Sequence, residues 1–225
     1  MNSLFKKEAD EEHNFWMSYT DLMSGFLVVF IIISAVMYKS YQDKTKESNA
    51  SLKNLIFEYE DVFIMDDPSV KVKFDEERGS IILTHAVPDS FLFASGNASF
   101  QESLGSYLEK IRKPLVKKTM SIWKEHNYKN VELRIEGHTD PNGIGTKRGS
   151  DESFLQNLDL SSQRANNVYH YIFNTPSLSK EEKEFVKKNM ISVGYSFSQR
   201  VQHNDIEYSR KDVMSRRIEF RIISK

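Results

Sequence analysis

The sequence predicts one membrane-crossing helix followed by an α+β domain, a mixed β-sheet with helices on one face. Three observations carry this. The stretch Phe15–Tyr38 (FWMSYTDLMSGFLVVFIIISAVMY) is apolar apart from one charge, Asp21, and about 20 such residues match the hydrocarbon thickness of a bilayer. Beyond residue 70, short alternating or β-branched runs are interspersed with longer segments of helical periodicity. Their order, β-α-β-α-α-β-β, suits helices packed on one side of a sheet.

The elements follow in turn. Residues 1–14 form a short polar tail and 15–38 the transmembrane helix. The segment 39–69 reads as a helical linker or plug, with Leu52, Leu55, Ile56, Tyr59 and Phe63 at spacings of three and four. That stripe can pair with a copy of itself, lie on the membrane surface or pack on the downstream domain. Asp66, Asp67 and Pro68 end it. The domain, 70–225, opens with the alternating run Val70–Phe74, a charged turn at Asp75–Gly79 and a strand at Ser80–His85. Gln101–His126 is an amphipathic helix with Leu104, Leu108, Ile111, Leu115 and Trp123 inward, and Pro114 marks a kink or a second start. Val131–Gly137 alternates as a half-buried strand. Ser161–Phe173 reads as a second helix, capped by Asp159 or Ser161, and Ser177–Met190 as a short capped one. Ile191–Gly194 and Arg217–Ile223 complete the strands.

Composition narrows the function. With 31 basic and 32 acidic residues, bulk charge does not drive nucleic-acid binding. The absence of cysteine excludes disulfides, thiol catalysis, Cys-based metal sites and an N-terminal lipoprotein anchor. The apolar core Leu22–Met37 is longer than that of a cleaved signal peptide, and Tyr38-Lys39-Ser40-Tyr41 is a poor cleavage context, so the segment reads as a retained anchor. Lysines flank it on both sides and leave its orientation open. No Ser/His/Asp set or phosphate loop is visible, and neither catalysis, a cofactor nor a metal is expected.

A carboxylate within a membrane span costs roughly 2.5 kcal/mol or more at its centre, and such groups commonly mark ion or proton pathways. Asp21 is that group here, unless it sits at headgroup level beside the aromatics Phe15 and Trp16 and is solvated. In the domain, Glu136, His138 and Asp140 alternate along a strand end. That pattern invites a metal or acid–base reading, but no second histidine stands nearby, which favours a structural role for His138.

Three separated motifs resemble the OmpA-like peptidoglycan-binding domain. They are Phe93-Ala94-Ser95-Gly96-Asn97-Ala98; Ile135-Glu136-Gly137-His138-Thr139-Asp140 with Asn157, Leu160, Ser161, Arg164, Ala165 and Val168; and Ser215-Arg216-Arg217-Ile218-Glu219. The resemblance implies binding of the wall stem peptide. Asp140 and Arg164 would clasp a diaminopimelate residue, carboxylate to ammonium and guanidinium to carboxylate, with Asn157 and Leu160 shaping the pocket. Arg164 is expected in the first turn of its helix, where free N–H groups also favour an anion. Gly145–Leu155 lengthens a loop that is short in the family, and Gln156 stands where Tyr is common, both beside the ligand residues.

The motif Trp16-Met17-x-Tyr19-x-Asp21-Leu22-Met23-x-x-Phe26 is similar to that of MotB and its relatives, the B subunits of ion-driven stators. This resemblance implies a cytoplasmic N-terminus in the bacterial inner membrane, a periplasmic domain, a homodimer, and a surrounding ring of a multispanning MotA-like (ZorA-like) subunit. Asp21 would be its ion-carrying group, for protons or sodium. Tyr19, Phe26 and Phe30 share a helix face that would meet the ring, lipid or the sister helix. The compact length and lengthened loop most resemble the B subunits of Zorya anti-phage systems. A flagellar-type stator and a passive membrane-to-wall tether are the alternatives.

Overall fold

The computed structural model describes residues 19–43, 55–63, 67–86, 92–94, 96–128, 131–143, 145–200 and 214–224. The tail 1–14, the aromatics Phe15 and Trp16, and Leu52 lie outside them. The chain divides into two compact units, Met1–Ala50 and Ser51–Lys225.

In the first unit, helix α1 runs Tyr19–Asp43, 25 residues with a mean hydropathy of 2.2 in its most apolar window, long and apolar enough to cross a membrane. Asp21 lies in its first turn, two residues after the first described one.

The second unit is built on a five-stranded sheet, β1 (Val70–Asp75), β2 (Ser80–His85), β3 (Val131–Gly137), β4 (Met190–Gly194) and β5 (Ile218–Ser224), in the order β1-β2-β5-β3-β4. All pairs are antiparallel except β3 with β4. The sequence order expected above is one strand short, because β1 and β2 form a hairpin. Its turn is closed by Arg78 N–H donating to Asp75 Oδ1 (3.2 Å) and by Gly79 at φ +62°. Helices α3 (Glu102–Glu125), α4 (Asp151–Phe173) and α5 (Lys180–Asn189) cover one face. Against them lie Ile81, Leu83, Leu133, Ile135, Ile218 and Phe220, all fully buried.

The segment expected as a linker contributes to this core. Residues Ile56–Tyr59 form a 3₁₀ turn that continues into α2 (Glu60–Phe63), and Leu55, Ile56, Tyr59, Val62 and Phe63 are buried among the core side chains. Tyr59 Oη donates to Thr119 Oγ1 (3.1 Å) and Tyr107 Oη to Phe63 O (2.8 Å). Of the three readings open from the sequence, packing on the domain is the one the described residues adopt. Helix α3 passes through Pro114 with no second start. The capping box of Ser179 and Glu182 fixes the start of α5.

The largest departure is α4. It starts at Asp151, ten residues before the expected Ser161, with Ser150 Oγ accepting from Ser153 N–H (3.2 Å) and Asp151 and Glu152 in the first turn. The last five residues of the expected loop extension, Asp151–Leu155, are therefore helix. Arg164 lies more than three turns from the helix start, so the expected help from free N–H groups is absent there.

Helix α4 crosses the ends of β3 and β4 so closely that glycine is required beneath it. A Cβ on Gly137 would stand 2.1 Å from Ser161 O, and one on Gly194 2.2 Å from Ser162 Oγ. Replacing Gly137 by Ala is expected to destabilise the domain by about 1–3 kcal/mol or more, as overpacking against backbone does. The urea midpoint of the Gly137→Ala variant checks this.

Candidate functional site

Because α4 lies on Gly137, the loop that leaves β3 emerges beside the middle of that helix. Backbone bonds hold the loop in place: His138 N–H to Arg217 O (3.1 Å), Thr139 N–H to Ser196 O (2.9 Å) and Tyr195 N–H to Gly137 O (3.0 Å). Ser196 N–H in turn donates to Ser161 Oγ on α4 (2.9 Å). Asp140 follows at once and faces a cavity of about 430 Å³, lined by Gly96, Thr139, Asp140, Asn142, Gly143, Gln156, Asn157, Asp159, Leu160, Arg164 and Arg216.

Four of the residues singled out from the sequence, Asp140, Asn157, Leu160 and Arg164, thus line one pocket. Asp21 lies in the other unit. Asp140 is buried, with Oδ1 accepting from Asn142 N–H (2.8 Å) and Oδ2 from Arg216 Nε. Asn157 Nδ2 donates to Asn142 O (2.9 Å) and Ser153 O (3.0 Å), tying the loop to α4. Arg164 is only 4% exposed. Its Nε donates to Asn97 O (3.0 Å), Nη2 donates to Ala94 O (3.2 Å), and its guanidinium carbon lies 4.8 Å from the centre of the Phe93 ring. Burial, followed by the neighbouring Arg216, pulls the Arg164 pKa down to about 10, and Asp140 partly offsets this. The pocket therefore presents two carboxylates, Asp140 and Asp159, and two guanidiniums.

Sequence reasoning passed over Arg216, Asp159, Thr139 and Asn142 as pocket residues. Arg216 stood in a recognised motif, but nothing local ties residue 216 to residue 140. Asp159 read as a helix cap because α4 was started too late.

The opposite face of the sheet carries a buried charged layer. Glu136 and Glu219 face each other across β3 and β5, both fully buried. His138 Nε2 lies 3.6 Å and 3.7 Å from their carboxylate oxygens, and its ring stacks on Tyr195. These three side chains form a donor set with which a metal could engage. Guanidiniums already meet the two carboxylates, however: Arg217 Nε at 2.6 Å and Arg78 at 3.2 Å from Glu219, and Arg221 at 3.8 Å from Glu136. The guanidiniums supply compensating charge, so the layer reads as structural; Glu136 is its least satisfied member, with both carboxylate oxygens buried and without a hydrogen bond.

No family model matches the chain. It is similar to the Zorya protein ZorB of Escherichia coli strain Crooks, with 26% identity over 230 residues, 97% of this chain and 91% of that protein. It is likewise 26% identical over 237 residues to the Zorya protein ZorB of Escherichia coli O139:H28 strain E24377A, 96% and 83% of the two chains. Solved structures with some likeness include a MotB-like protein from Desulfovibrio vulgaris (TM-score 0.44, 18% identity, 82% of this chain and 99% of that one). Another is the periplasmic domain of Helicobacter pylori MotB (TM-score 0.44, 14% identity, 73% and 85%). The similarity to these ZorB proteins thus runs along nearly the whole chain.

The charged layer makes a pH test. Burial, then Arg217, drives the His138 pKa from 6.5 down to about 3; Arg78 and Arg221 act the same way and Glu219 opposes them. Below pH 6.5 the unfolded chain takes up a proton that the folded chain refuses, so stability falls with falling pH, by at most about 1.4 kcal/mol per pH unit from this group. Glu136, whose pKa burial raises above 4.5, acts in the opposite sense at the acid end. Between pH 6.5 and 5, the urea stability of the wild type is expected to fall more steeply than that of His138→Asn. Equal slopes would remove His138 as the cause.

Proposed function

We propose that this protein is the wall-anchored B subunit of an ion-driven membrane motor of the Zorya type, acting in defence against phage. The observation that carries the reading is the pairing, within one chain, of Asp21, the one charged residue of the apolar stretch 15–38, with a pocket of opposed carboxylates and guanidiniums. The near full-length similarity to two proteins named ZorB supports it. In this reading α1 crosses the bacterial inner membrane once, with the N-terminus in the cytoplasm and the domain in the periplasm. Asp21 carries the ion, most simply a proton. The helix stands as one of a homodimer inside a ring of a multispanning MotA-like subunit.

The pocket holds the peptidoglycan stem peptide. Its diaminopimelate residue offers an ammonium and carboxylates, which are the complements of Asp140 and Arg164. Asn157 and Leu160 set the pocket's shape: the first fixes the loop at Asn142 and the second supplies an apolar wall. The protein binds and transmits force; it performs no bond chemistry on the wall. A membrane potential delivers about 2.3 kcal/mol per charge per 100 mV, so each ion that passes Asp21 supplies work that the wall attachment converts into relative rotation.

Native purification in mild detergent with mass spectrometry of the co-purifying proteins tests the assembly. A stoichiometric multispanning partner is expected, and recovery of this chain alone would leave the passive tether as the account. Asp21→Asn is expected to abolish protection from phage while the partner still co-purifies; intact protection would remove the ion-carrying role. Asp140→Asn is expected to lower binding to purified wall sacculi by about tenfold or more, in line with the loss of one charged hydrogen bond in a desolvated pocket.

A further inference from the structure

We propose that an arginine-lined hollow on the open face of the sheet is an anion site that takes a phosphate group, separate from the pocket between α4 and the loop after β3. The proposal goes beyond the wall-binding reading and does not depend on it.

The hollow has a volume of about 450 Å³ and is lined by Arg78, Phe197, Ser198, Gln199, Arg200 and Arg221. Three of these carry guanidiniums and none is acidic; the acids of the β1–β2 turn, Asp75, Glu76 and Glu77, do not line it. Its frame is braced from two sides. On β5, Arg221 Nε donates to Arg78 O (3.2 Å), which ties the strand to the turn before β2. Across from it stands the turn after β4. Ser196, at φ +53°, donates through Oγ to Phe154 O (2.9 Å) and through its N–H to Ser161 Oγ, both on α4. Phe197 stands edge-on to Phe154, with ring centres 5.3 Å apart. Ser198 Oγ donates to Tyr195 O (2.7 Å). Gln199 accepts from Arg217 Nη2 at its backbone carbonyl (3.0 Å) and from Arg78 Nη2 at its side chain.

Charge around the hollow does not cancel. Arg78, Arg217 and Arg221 face Glu136 and Glu219, three guanidiniums to two carboxylates. Arg134, directly across β3 from Arg221, is matched separately by Glu132 (2.7 Å). Arg200 adds a further positive group to the lining. Donors are also in excess. Arg78 commits Nη2 to Glu219 and Gln199. Arg221 commits Nε to Arg78 O, while its Nη1 stands 3.8 Å from Glu136, beyond hydrogen-bond length. Among the described residues, Nε and Nη1 of Arg78 and both terminal nitrogens of Arg221 meet no acceptor. Their side chains are 31% and 28% exposed, so a ligand from solvent can reach them. A carboxylate is filled by one guanidinium in the two-pronged mode, whereas a phosphate group has oxygens for two. The hollow therefore suits phosphate, borne by the free ion or by a lipid headgroup.

Calorimetric titration of the full chain in uncharged detergent, at constant ionic strength in chloride, tests this. The probes are inorganic phosphate and glycerophosphoglycerol, the headgroup of phosphatidylglycerol without its chains. Binding of at least one is expected, and the tighter of the two names the source. Arg221→Gln is expected to weaken it by about tenfold or more, the order expected for one charge-assisted pair. Arg221→Lys keeps the charge without the fork and is expected to fall between. Arg200→Gln lies outside the strands, is expected to weaken binding as well, and decides the matter should Arg221→Gln fail to fold. Unchanged affinity in the Arg221 and Arg200 variants would overturn the proposal by placing the anion elsewhere. Binding of neither probe by the wild type would overturn it outright. Binding to wall sacculi, measured separately, stands or falls on its own.

Discussion

The site depends on one close approach, the backbone of α4 at Ser161 resting on Gly137. Any side chain at 137 would lift the helix, since the nearest helix atom is a carbonyl oxygen that belongs to the helix itself. With the helix seated there, Ser161 Oγ can accept from Ser196 N–H, Ser196 O can accept from Thr139 N–H, and the β3 loop is pinned from both sides. Asp140 then falls opposite Arg164, one helical turn beyond Ser161. Two residues 24 apart in sequence meet across a pocket because of an atom that glycine lacks.

The charged layer on the far face gives that arrangement its rigidity. Two glutamates directly opposed on neighbouring strands would repel in isolation. Here Arg217, Arg78 and Arg221 interleave them, and Arg217 also donates to Gln199 O (3.0 Å), joining β5 to the segment after β4. Removing one member would leave a buried charge exposed to its like neighbour, a far larger cost than the net worth of the pair. Arg217 and Arg216 stand side by side in sequence and point to different tasks. The first locks the sheet; the second faces the pocket.

The sequence displayed the apolar half of this fold and concealed the polar half. The strands and α3 announced themselves because their inward residues are Ile, Leu, Val and Phe at period two or near 3.6. The first half of α4 did not, because its inward residues are Ser153, Asn157 and Ser161, all buried and all polar. Periodicity of hydrophobicity is silent on a helix face that is buried through hydrogen bonds. The same blindness hid Asp159 from the pocket and placed Arg164 at a helix start. The site residues Asp140, Asn157, Leu160 and Arg164 were legible as a motif, which records which residues recur and not what each one touches. The contact between Arg216 and Asp140 spans 76 residues and has no local signature.

The extended start of α4 also bears on what the pocket can admit. Ser153 Oγ donates to Pro141 O (2.8 Å) and Asn157 Nδ2 to Asn142 O, so the first turns of the helix grip the loop that carries Asp140. A Cβ on Gly143 would collide with Thr146, Gln156 and Ser153, which shows how tightly that loop is folded against the helix. A mobile loop at this place would let the pocket adapt to several ligands at an entropic cost for each. A loop braced by three extra turns of helix keeps Asp140 at one position. The residues that look like an insertion therefore contribute, through Ser153, to holding the Asp140 loop in place.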